Sequence, residues 1–192
     1  MSETITGVPD WEDTYLDRVS DRLMHSYDLS KDETVGGERF DLVGHLEVEN
    51  RKQFFHPALS YAEHDAREHV FARRVDAVSI PDLERLLDVG HDLAAEWIDA
   101  DEQHYETAFT FVLVAPEIPA DVREFVTGHG GRTLLKYGYF GRYEVNLVVV
   151  APDDRETVAS RHADVAAAFS LWEDVTPDRK KGLLERVVGR FR

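Results

Sequence analysis

The sequence contains no cysteine, which excludes disulfide staples, thiolate nucleophiles and Cys-ligated zinc or iron–sulfur centres. Any chemistry falls to histidine, carboxylate, hydroxyl, arginine or lysine. Lysine is scarce as well: only Lys31, Lys52, Lys136, Lys180 and Lys181 occur among 22 basic residues. No apolar run approaches the roughly 18 residues that a membrane span requires. The opening Met1-Ser2-Glu3-Thr4 lacks a basic region followed by an apolar one. A cytoplasmic protein with no transmembrane segment is expected. HExxH, GxSxG and GxGxxG patterns are also missing, which removes familiar signatures of zinc proteases, α/β-hydrolases and dinucleotide-binding folds.

What is abundant is negative charge, 38 Asp and Glu against 22 Lys and Arg, for a net charge of −16. Such a surface repels polyanions, so nucleic acid is not expected against the acidic body. Three tryptophans, ten phenylalanines and 43% hydrophobic residues in 192 supply a core and oppose disorder. Carboxylates hydrate strongly, and dense salt screens their repulsion within about 3 Å at 1 M. In this composition the chain resembles haloarchaeal cytoplasmic proteins.

Periodicity predicts a first helix capped by Asp10, with Trp11, Tyr15, Val19 and Leu23 along one stripe, then a loop over residues 28–38 around Gly36-Gly37. Residues 40–51 alternate: Phe40, Leu42, Leu46 and Val48 share one parity, Asp41, His45, Glu47 and Glu49 the other. That pattern predicts a half-buried strand. A second strand is expected near residues 53–55, while 59–67 reads as either a short helix or an irregular loop. Residues 70–78 predict a strand, and Ser79-Ile80-Pro81-Asp82 starts a helix carrying Leu83, Leu86, Leu87, Leu93, Ala94, Trp97 and Ile98. An acidic loop (99–106) leads to a central strand at 108–115. A short helix after Pro119 closes at Gly128, a hairpin pairs 132–139 with 142–151, and a long helix covers 154–172. The expected fold is a single α/β domain over residues 1–178. It has a mixed, mostly parallel sheet of five or six strands with helices on both faces.

Candidate chemistry concentrates on the polar parity of the 40–51 strand. Alternate residues lie ~6.6–7 Å apart, so His45, Glu47 and Glu49 are metal-ligand candidates, against the plainer reading of a solvated strand face. Asp88, His91 and Asp92 share a helix face at metal-binding spacing. Gly128-His129-Gly130-Gly131 reads as a helix stop rather than a phosphate cradle, because a strand follows it. On the hairpin, Lys136, Glu144 and Asn146 form a candidate binding group, with Lys136 and Glu144 also readable as a cross-strand ion pair. Tyr137, Tyr139, Phe140 and Tyr143 are read as core and edge packing in preference to a ligand surface.

Residues 179–192 differ from the rest. Six basic groups face Glu185 alone, a local charge of +5 that leaves −21 on the preceding 178 residues. Leu183, Leu184, Val187, Val188 and Phe191 make an amphipathic stripe, predicting a basic C-terminal helix. Docking on the acidic body, or on a homo-oligomer or other protein partner, is favoured over lipid or nucleic acid.

In its order of elements, strand, long helix, strand ending Val114-Ala115-Pro116, short helix and strand, the stretch 70–139 resembles the core of restriction-endonuclease-like nucleases. That superfamily holds Mg²⁺ with an acidic residue on one strand and a Glu-x-Lys pair on the next. Phe71-Ala72-Arg73-Arg74 carries no such pair. Glu49-Asn50-Arg51 with Asp41 upstream is the nearest counterpart, with arginine where the lysine belongs. The resemblance implies a metal-dependent phosphodiesterase using Asp41, Glu47 and Glu49 with Mg²⁺ or Mn²⁺. The whole chain also resembles an uncharacterised haloarchaeal family through Gly90-His91-Asp92-Leu93-Ala94 with Glu96-Trp97, and Leu135-Lys136-Tyr137-Gly138-Tyr139 with Tyr143-Glu144-Val145-Asn146. A binding or assembly module without a cofactor is the preferred expectation, and the phosphodiesterase is its alternative.

Overall fold

The computed structural model describes residues 8–50, 64–100 and 104–173. The expected strand at 53–55 and the basic helix at 179–192 lie outside the described residues. The first helix, α1 (Thr14–Leu23), starts later than expected because Asp13, not Asp10, is its N-cap. The Asp13 carboxylate accepts from the backbone N–H groups of Tyr15 at 2.9 Å and Leu16 at 3.2 Å. Trp11 precedes the helix, and its indole N–H donates to the Asp41 carbonyl at 2.7 Å. The stripe that α1 buries is Leu16, Val19, Ser20 and Leu23.

The expected loop at 28–38 is instead a strand, β1 (Asp28–Val35), joined to β2 (Glu38–Asn50) by Gly36-Gly37 with φ of 58° and 80°. Two consecutive left-handed residues make the tight turn whose twist suits a hairpin. Charge disguised β1 because it is an exposed edge strand, where Lys31, Asp32 and Glu33 protect against edge pairing. The alternation in β2 also breaks at Asp41. Phe40 joins the core on one sheet face and Leu42 the core on the other. Asp32, with φ 57°, sits between the register pairs Lys31–Leu42 and Glu33–Phe40 at that break.

Strand β3 (His64–Arg74) begins earlier than the expected 70–78 and ends before it. Helix α2 (Ile80–Trp97) starts where the sequence places it. The Asp82 carboxylate accepts from the Ser79 backbone N–H at 3.2 Å. Strand β4 (His104–Val114) takes in part of the supposed acidic loop, and α3 (Ala120–Gly128) follows Pro119.

The hairpin is shorter than its sequence suggests. β5 (Arg132–Leu134) gives way to a single 3₁₀ turn at Lys136–Gly138 before β6 (Arg142–Ala151). The expected long helix at 154–172 is replaced by β7 (Glu156–Ala159) and the one-turn α4 (Ala166–Phe169). Val158 packs on one face of the sheet while Val165 and Phe169 pack on the other, so no single helix could bury all three. Arg155, at φ 53°, turns the chain back to make β7 an antiparallel partner of β6.

The result is one seven-stranded mixed sheet in the order β1-β2-β3-β4-β6-β5, with β7 beside β5 on the outer edge of β6. The count exceeds the expected five or six, and the pairing is not mostly parallel. Among the described residues, only β3 with β4 and β4 with β6 run parallel. Helices α2 and α3 cover one face around Phe71, Phe109, Phe111 and Leu147. Helices α1 and α4 cover the other around Val70, Val112, Val148 and Val150. β4 and β6 are buried on both sides, which is why their sequences are apolar at both parities.

Candidate functional site

Pairing across five strands sets one row of residues in register: Asp28, His45, His69, Phe109 and Val145. His45 therefore meets His69 directly across the β2–β3 ladder, and their Nδ1 atoms lie 2.7 Å apart. One ring must donate and the other accept, so the pair shares a single proton between facing nitrogens. Trp97, the last residue of α2, lies against the pair, its ring centroid 5.2 Å from His69 and 6.0 Å from His45. Burial pushes His69 down to about 4, helped by the neighbouring His45 and Arg67 against the opposing pull of Glu47. Burial also lowers His45, against Glu33 and Asp28.

The carboxylates proposed from the same strand are held elsewhere. Asp41 accepts from the Arg74 backbone N–H at 2.7 Å. Glu47 forms an exposed ion pair with Arg67 at 2.9 Å. Glu49 stands opposite Asp65 in the ladder, and its side chain lies outside the described residues. Among the described residues, no group of three or more His, Asp or Glu is arranged to hold a metal ion. His91 is engaged by the Tyr143 hydroxyl, 2.9 Å from its Nδ1.

The α1 side of the sheet carries a second polar group. Glu144 is buried against Arg132 at 2.7 Å, with Arg142 at 3.9 Å. Arg142 in turn grips both oxygens of Glu106, at 3.1 and 2.8 Å. The expected Lys136–Glu144 pair is not formed, because β5 ends at Leu134 and Lys136 turns away with φ 47°. Asn146, paired with Thr110 in register, accepts from Ser160 at 3.3 Å. Asn146 Nδ2 and Thr110 Oγ1 are buried without a hydrogen-bond partner. Nearby Glu68 is raised chiefly by burial and by Asp164 and Glu106, partly offset by the Tyr27 hydroxyl.

The feature that sequence reasoning assigned to packing is the turn between β5 and β6. Leu134, Tyr137 and Tyr139 are 60%, 96% and 84% exposed. Three consecutive residues, Lys136, Tyr137 and Gly138, have φ of 47°, 58° and 89°. Main-chain hydrogen bonds close the turn, from Leu135 N to Gly141 O at 3.0 Å and from Gly138 N to Leu135 O at 2.8 Å. His104 fastens it to the start of β4, its Nδ1 lying 2.8 Å from the Phe140 carbonyl and its Nε2 2.9 Å from the Thr107 hydroxyl. A cavity of about 290 Å³ lies beneath, bounded by His104, Tyr105, Leu134, Tyr139 and Arg142. The available signal was a Lys-Tyr-Gly-Tyr-Phe-Gly run too rich in glycine for a plain strand.

No curated protein and no solved structure matches the chain. The sequence model of one family matches residues 12–171, from just before α1 to just after α4 and so across every element described above. The chain belongs to that family, described as Domain of unknown function (DUF8052).

Proposed function

We propose that this chain is a binding module that assembles with a second copy of itself through the turn between β5 and β6. One observation carries the reading: Leu134, Tyr137 and Tyr139 stand exposed together on a turn closed by its own main-chain hydrogen bonds. Left-handed non-glycine residues cost of order 1–3 kcal/mol each and persist only where the surroundings over-determine them. Tyrosine brings a large amphipathic contact area with only two side-chain torsions to order on docking, which favours it as an interface anchor. Lys136 makes no ion pair among the described residues and stands beside these rings.

A copy of the same chain suits this surface better than nucleic acid does. The −21 charge of residues 1–178 repels polyanions, whereas dense salt screens charge and strengthens apolar burial. The acidic, lysine-poor composition supports a salt-rich haloarchaeal cytoplasm as the setting. The segment 179–192, with Leu183, Leu184, Val187, Val188 and Phe191, would add a second apolar contact to the same assembly. The phosphodiesterase reading draws less support, and so does a restriction-endonuclease-like relationship. Asp41 and Glu47 sit six residues apart on one extended strand, about 20 Å, and each is bound to a different partner.

Sedimentation equilibrium of the full chain in multimolar KCl tests the proposal. The wild type is expected to associate with rising concentration, and Tyr137→Ser/Tyr139→Ser to remain monomeric with an unchanged circular dichroism spectrum. A monomeric wild type, or a double variant that associates as tightly as wild type, would overturn it.

A further inference from the structure

The His45–His69 pair plays no part in the proposed assembly surface, yet its geometry is that of a ligand set. We propose that it binds one borderline divalent cation of the Zn²⁺, Ni²⁺ or Cu²⁺ class through both Nδ1 atoms, with water completing the coordination. The Nδ1 atoms face each other at 2.7 Å on rings inclined at 71°, close enough for one ion to bridge them. Metal–imidazole bonds of about 2.0–2.1 Å at a tetrahedral angle set the two nitrogens about 3.3 Å apart. Insertion of an ion therefore opens the pair by about 0.6 Å, a small side-chain rotation. Neither histidine is fully buried, so an ion reaches them from solvent.

Burial disfavours the charged form of both imidazoles. The ring that now donates from Nδ1 carries its proton on Nε2 once the ion is bound, so both lone pairs are used and no net proton is released. Asp28 and Glu33 favour positive charge at His45, while at His69 Arg67 outweighs its ion-pair partner Glu47. Trp97 and Phe109 hold the rings in place from the α2 side. Imidazole nitrogens select borderline ions over Mg²⁺ and Ca²⁺, which want oxygen.

The test titrates the full chain with Ni²⁺ and with Cu²⁺ in a large excess of Mg²⁺, read by calorimetry and tryptophan fluorescence. One ion is expected to bind per chain at pH 7.5 with an enthalpy independent of the buffer's own protonation enthalpy. Trp97, whose ring centroid lies 5.2 Å from His69, is expected to lose emission as the ion binds. His45→Asn and His69→Asn should each weaken binding at least tenfold, and Cu²⁺ bound to the wild type should show two nitrogen ligands by electron paramagnetic resonance. If His69→Asn does not fold, His45→Gln alone decides. Affinity within twofold of wild type in the histidine variants, displacement by Mg²⁺, or no binding at all overturns the proposal.

Discussion

Two neighbouring residues on opposite faces of β3, Glu68 and His69, respond to pH in opposite senses. His69 has a folded pKa of about 4 against an unfolded value near 6.5. Between those values the unfolded chain binds the extra proton, so stability is full above about pH 6.5 and falls as pH drops towards 4. The loss is on the order of 2–3 kcal/mol, and thermal melts from pH 7 to 4 should show it. A His69→Asn variant is expected to flatten that slope. Glu68 works in the opposite sense, because its folded pKa is raised. Its contribution is present at acid pH and is lost as pH rises through the folded value. Glu68→Gln keeps a partner for the Tyr27 hydroxyl and removes the charge, so it should raise the melting temperature at pH 8 and change little at pH 5. A lower melting temperature for Glu68→Gln at pH 8 would contradict a carboxylate held under strain by its burial.

At the level of elements, the turn between β5 and β6 depends on Gly141. Its φ is 75°, and an added Cβ would collide with the backbone carbonyl oxygens of Tyr105 and His104. Gly141→Ala should cost about 2 kcal/mol or more and release Tyr137 and Tyr139 from their fixed display. Chemical denaturation measures the first effect and hydrogen exchange at residues 135–141 the second. The same turn shows why legibility was uneven. Helices α2 and α3 were readable because local signals, a capping Ser79 and Pro119, coincide with helical periodicity. β1 was not, since an exposed edge strand needs no apolar face, and 154–172 misled because Val158 and Val165 keep a helical spacing while serving opposite sheet faces. The candidate site suffered likewise. His45 was visible as a polar residue on a strand, but its partner His69 is set by the β2–β3 register, which the sequence does not spell out.

For the whole molecule, charge and apolar surface are divided between different regions. The sheet buries its apolar rows under α2 and α3 on one side and under α1 and α4 on the other. What apolar surface the described residues leave in large exposed side chains gathers at the turn carrying Leu134, Tyr137 and Tyr139. An acidic body held apart by its own charge at low salt, and an apolar contact strengthened by salt, together predict an assembly that tightens as KCl rises. The most direct measurement is the self-association constant by sedimentation equilibrium, for wild type and Tyr137→Ser/Tyr139→Ser, at two KCl concentrations where both remain folded. Tighter association of the wild type at the higher salt, with at least a tenfold loss in the double variant, is the predicted result. Association that weakens with salt, or that ignores the two tyrosines, would contradict it.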